Sequence, residues 1–124
     1  MKEKEKLYET MGELIYAVAK ADGVIQDEEI EVLNFILKSH PWASSIQWSF
    51  DYERQKETPV EEIYNKVISN CHSYGPSPEY AEFIDVMNKV AAASEGVDEH
   101  EKKIIKSFSR DLTERFKRDI ERLM

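Results

Sequence analysis

Apolar residues along the chain recur every three to four positions in several separate runs, the spacing that puts them on one face of an α-helix. Leu7, Met11, Leu14, Ile15 and Val18 predict an amphipathic helix from Lys4 to about Ala21. Asp22-Gly23 stops it, because glycine accepts a left-handed turn without a Cβ clash. Ile30, Leu33, Ile36 and Leu37 form the buried stripe of a second helix, capped by Gln26 or Asp27 and ending near Ser39, before Pro41. Its first turn is acidic (Asp27, Glu28, Glu29), as the helix dipole favours.

His40 to Glu57 shows no clean period, yet it carries Trp42, Ile46, Trp48, Phe50 and Tyr52. A connection of this length has a reason, either short structure of its own or function. Two readings stand. The aromatics plug the core from one side as a short helix, or they form a partner-binding patch, since Trp and Tyr dominate binding hot spots.

Periodicity returns at Thr58-Pro59, a helix start with proline at the first helical position. Val60, Ile63, Tyr64, Val67, Ile68 and Cys71 are its stripe, and Tyr74-Gly75-Pro76 breaks it. Ser77-Pro78 with Glu79 opens another helix, on Tyr80, Phe83, Ile84, Met87, Val90 and Ala91, which Glu95-Gly96 ends. Asp98 and Glu101 have capping-box spacing ahead of Ile104, Ile105, Phe108 and Leu112, and a final helix spans Thr113 to Met124. The expected fold is all-α, a compact bundle of about six helices. At 124 residues the chain suits one core, so residues 1–124 are read as one domain.

The acidic turns repeat. Ala21-Asp22-Gly23-Val24-Ile25 followed by Glu29 sits between two helices, and Ser94-Glu95-Gly96-Val97 followed by Glu101 does the same 73 positions later. Alanines precede each turn: Ala17, Ala19 and Ala21, then Ala91, Ala92 and Ala93. The pattern suggests two pseudo-repeated helical hairpins. Asp22-Gly23, Ile25 and Glu29 have the relative spacing of the second half of a calcium-binding EF-hand loop. Upstream the match fails, because the first and third ligand positions fall on Val18 and Lys20. Pooled between the hairpins, Asp22, Glu29, Glu95 and Glu101 would form a metal site of four carboxylates for a hard divalent cation, Ca²⁺ or Mg²⁺. The competing reading needs no cofactor: glycine ends one helix and an acid caps the next.

"AVAKADGVIQDEEIEVL" resembles the signature of the TerB-like family, in which an alanine-rich helix runs into Ala-Asp-Gly, a β-branched residue and a Glu that opens the next helix. "VAAASEGVDEHEKKII" is similar to the family's second, weaker copy, with Glu95 in place of the usual Asp and one residue fewer before Glu101. Related domains include tellurite-resistance TerB proteins and the amino-terminal domain of a membrane-anchored DnaJ-like co-chaperone. The resemblance implies an all-α, noncatalytic domain linked to stress resistance and membrane-associated complexes. It also implies an acidic metal site at Asp22, Glu29, Glu95 and Glu101.

Charge narrows the partners. With 25 acids against 17 bases, nucleic-acid binding starts from repulsion, whereas a cation or a basic protein partner fits. From Glu101 onward eight bases face five acids, which suits either a solvated helix face or a basic tail on an anionic partner or lipid surface. No run is long and apolar enough to span a membrane, so membrane contact would be peripheral. A single cysteine, Cys71, and no signal-peptide pattern make the cytoplasm the expected compartment. Cys71 and His72 adjoin on a helix and point about 100° apart, and His40 and His100 have no partners at metal-ligand spacing. The leading expectation is a noncatalytic interaction domain. The alternatives are a metal-dependent hydrolase using the same carboxylates, or a protein-binding scaffold without metal.

Overall fold

Helix α1 (Lys2–Lys20) is the axis against which three of the later helices pack. The computed structural model describes residues 2–21, 23, 25–75, 79–93, 102–108, 110 and 111. Four more helices follow: α2 (Asp27–Leu37), α3 (Ala43–Lys56), α4 (Val60–Tyr74) and α5 (Glu79–Ala91). A further helical segment occupies 102–108. The molecule is an all-α bundle; the second acidic turn, at 94–101, and the helix expected at 113–124 lie outside the described residues.

The expected first helix is present with its apolar stripe buried, and the burial extends beyond that stripe. From Thr10 to Ala19 every residue of α1 is buried, because α3, α4 and α5 all pack against it. A helix enclosed on all sides has no polar face to keep. Its polar groups are satisfied internally instead. Thr10 donates its hydroxyl to the Lys6 carbonyl at 2.9 Å, and Tyr16 donates to the Thr58 carbonyl at 2.9 Å. Glu13 pairs with Lys66 Nζ of α4 at 2.8 Å.

The α1–α3 contact turns on Gly12. A Cβ there would stand 2.0 Å from Ser49 Oγ and 2.4 Å from the Ile46 carbonyl oxygen. Glycine lets the two backbones meet, and the Ser49 hydroxyl donates across the contact to the Glu9 carbonyl at 2.6 Å. Where the sequence shows no clean period and a short helix is one of two readings, α3 runs for 14 residues. Ile46, Ser49, Phe50 and Glu53 face the core at the three-to-four spacing of a helix. The helix ends on Glu57, which takes the left-handed conformation at φ 52° and donates its N–H to the Arg54 carbonyl at 3.3 Å.

Pro59 occupies the N-cap of α4 rather than its first helical position, and Gly75, at φ 96°, terminates that helix as expected. The Tyr80 hydroxyl bridges the carbonyls of Cys71 at 3.0 Å and Gly75 at 2.7 Å, pinning the start of α5 to the end of α4. Phe83 of α5 stacks on Phe108 at 6.4 Å, which holds the 102–108 segment to the bundle. The Tyr64 hydroxyl donates to Asp111 at 2.7 Å; burial, reinforced by that bond, raises its pKa.

Candidate functional site

The first acidic turn is a helix junction in its local geometry. Gly23 sits at φ 98° and donates its N–H to the Lys20 carbonyl at 2.8 Å, closing the end of α1. Open space surrounds its Cβ position, so backbone conformation, not crowding, calls for glycine. Three residues later Gln26 caps α2 with Glu29 as its reciprocal partner: the Gln26 N–H donates to Glu29 Oε1 at 2.9 Å. Glu29 is almost fully buried at this junction.

Of the four acids expected to share a cation, Glu29 is the one that lies among the described residues; Asp22, Glu95 and Glu101 fall outside them. Among the described residues no three His, Cys, Asp or Glu side chains gather as a metal site. What the structure describes for Glu29 is its bond to the Gln26 N–H in the cap.

Two further polar sites join helices. The Glu13–Lys66 pair links α1 to α4, with Lys66 half exposed and Glu13 buried. Burial raises the Glu13 pKa, opposed by the bond from Lys66; that same bond raises the Lys66 pKa. The second site holds the turn before α3. His40 Nδ1 accepts the Trp42 N–H at 3.0 Å, which places the ring proton on Nε2, facing Glu82 Oε1 of α5 at 2.5 Å. Tyr8 of α1 packs between them, edge-on to His40 and stacked on Trp42 at 5.6 Å. Cys71 is fully enclosed, and burial pushes its thiol up to about 12, so it behaves as a small apolar side chain.

The aromatic residues of the 40–57 region divide between two faces. Trp42 and Phe50 pack inward alongside Ile46, Phe50 edge-on to Tyr16 at 6.3 Å. Trp48 and Tyr52 point outward, 60% and 44% exposed, stacked on each other at 5.4 Å with ring planes 17° apart. Lys56 lies over the Tyr52 ring, 5.2 Å from its centre. The core-plugging reading holds for the inward face, while the outward pair stands exposed to solvent. Interleaved inward and outward aromatics hid the helical period in the sequence.

Beside Trp48 an open groove of about 500 Å³ separates α2 from α3, lined among others by Asn34, Leu37, Lys38, Gln47 and Asp51. Gln47 donates its side-chain amide to Asp51 Oδ1 at 3.0 Å, one turn along α3. Phe35 of α2 is 78% exposed, so two neighbouring helices both present large apolar side chains to solvent. Nothing in the sequence marked Asn34 or Asp51; the available signal was the Trp48, Tyr52, Lys56 stripe at i, i+4, i+8.

An all-helical domain with an enclosed central helix and an acidic, glycine-hinged turn is the class these features define. The family model described as "Tellurite resistance protein TerB" matches residues 8–115, and the chain belongs to that family. No curated protein and no solved structure matches it. Among the described residues no helix is long and apolar enough to cross a membrane.

Proposed function

We propose that this TerB domain is a noncatalytic interaction module of the stress-response kind, working in the cytoplasm and docking a protein partner on the outer face of α2 and α3. One observation carries the reading. A stacked Trp48–Tyr52 pair stands exposed on a chain whose other aromatic residues of α1 and α3 are packed into the core. Large exposed aromatics contribute little to folding, whereas at an interface they contribute most of the affinity. The test is affinity capture with the intact chain and with a Trp48→Ala/Tyr52→Ala variant of equal melting temperature. Partners specifically lost by the variant support the reading. Identical partner sets from both proteins overturn it.

Divalent-cation binding at the acidic turns is a separate part of the proposal, supported by the paired pattern of Asp22, Glu29, Glu95 and Glu101 in the sequence. Thermal melting with Ca²⁺ or Mg²⁺ tests it, on the natural chain and on Asp22→Asn and Glu29→Gln. Glutamine keeps the capping-box geometry while removing the charge. A specific ion stabilises the natural chain by about 2.7 kcal/mol at 100-fold over its dissociation constant, and the variants less. Equal shifts in all three proteins would remove the cation from the account.

A further inference from the structure

The groove between α2 and α3 brings together an aromatic face, an oriented carboxylate and open space. Trp48 is stacked on Tyr52 on one side, and its 60% exposure leaves the other side of the indole available to a ligand. Asp51 follows Trp48 by three positions on the same helix, which makes the two side chains surface neighbours. Gln47 holds Asp51 Oδ1, so the carboxylate is oriented before any ligand arrives. Across the groove Asn34 adds an amide. Asp27 and Glu31, both exposed, precede Asn34 by seven and three positions and so share its stripe of α2. Lys38 is the cation on the groove lining, one turn beyond Asn34 in the opposite direction.

An aromatic face beside a fixed carboxylate is a recognition site for a planar cation. Lys56 over Tyr52 is the chain's own instance of cation–π contact on this stripe. A guanidinium can stack flat on an indole and form two parallel hydrogen bonds to a carboxylate at once, which an ammonium cannot. The net charge of −8 attracts a basic partner over distance. We infer that the α2–α3 groove receives an arginine presented by a basic segment of a protein partner, the guanidinium stacked on Trp48 and paired with Asp51. This rests on the interaction-module reading and names the chemistry of its partner.

The probe is a short amphipathic peptide in three versions that differ only in carrying Arg, Lys or Glu at the same two positions. Binding is followed by the indole N–H resonance of Trp48 in the isotope-labelled full chain, with phosphatidylglycerol vesicles as a fourth titrant. The Arg version shifts the resonance, the Lys version binds about tenfold more weakly, and the Glu version does not bind. Asp51→Asn weakens the Arg peptide about tenfold. Trp48→Ala, which lacks that resonance and is followed by the anisotropy of a dye-labelled peptide, loses binding without a change in melting temperature. If the Arg and Glu versions bind alike, or Asp51→Asn leaves affinity unchanged, the arginine assignment is wrong while the docking face stands. A response to vesicles and to no peptide makes the face a lipid surface and overturns the inference. Silence from every titrant counts against both the inference and the docking face beneath it.

Discussion

Helices α1 and α3 touch along their length and are built on opposite terms. Between Thr10 and Ala19, α1 has no exposed position, so even its polar residues serve packing. On α3 the work is divided: Ile46, Ser49 and Phe50 fill the core, while Trp48 and Tyr52 stand in solvent. Burial of a large apolar side chain stabilises by roughly 1.5–3 kcal/mol. The inward residues of α3 need no further explanation. The outward pair gains little of that energy, so folding alone does not account for it.

Mutations should separate the two regimes. The largest effect is expected where α1 and α3 meet. Gly12→Ala places a methyl group inside contact distance of the Ile46 carbonyl, which cannot rotate away as a side chain can. A loss of about 3 kcal/mol in urea unfolding is expected. A cost near zero would mean the helices lie further apart than described.

Next comes the charge inside the α1–α4 contact. Lys66→Met leaves Glu13 buried without its cation, at a cost of about 2 kcal/mol at neutral pH. The direction with pH follows from the raised Glu13 pKa. Its folded value exceeds its unfolded value, so the folded state holds the proton more tightly. Stability is then complete below the ordinary carboxylate range and is lost as pH rises through the folded pKa. Lys66→Met removes two of the influences that lower that pKa, which steepens the loss. Unfolding measured at pH 4 and pH 7 should show the variant's deficit mostly at the higher pH. An equal deficit at both would mean Lys66 contributes through its aliphatic stem rather than its charge.

These expectations also mark what the sequence made legible. The stripes of α2, α4 and α5 were plain because each helix keeps a solvent side, and glycine or proline marked the junctions around them. For α1 the stripe was right but incomplete. Tyr8, Glu13 and Tyr16 look like a polar face until the helices that cover them are in place. The helix α3 was hidden for the reverse reason, with aromatics on both faces and no side-chain cap at Trp42. The acidic turn was readable as a hinge at Gly23 and Gln26 as one of two candidate caps, whereas the reciprocal bond from Gln26 to Glu29 was not foreseen. The groove was not readable, since it depends on how α2 and α3 diverge, a tertiary property that no local pattern encodes.

The smallest stability effect is expected at Trp48, and it is the most informative. Two tryptophans lie six positions apart, one stacked on Tyr8 beside the core and the other in solvent. Equilibrium urea denaturation of Trp42→Ala beside Trp48→Ala compares them directly. Trp42→Ala should cost about 2 kcal/mol, a partly buried counterpart of the usual loss for a core aromatic. Trp48→Ala should stay within about 0.5 kcal/mol of the natural chain. Equal losses, or a larger one at Trp48, would make the outer face of α3 part of the core and contradict its assignment as a docking surface.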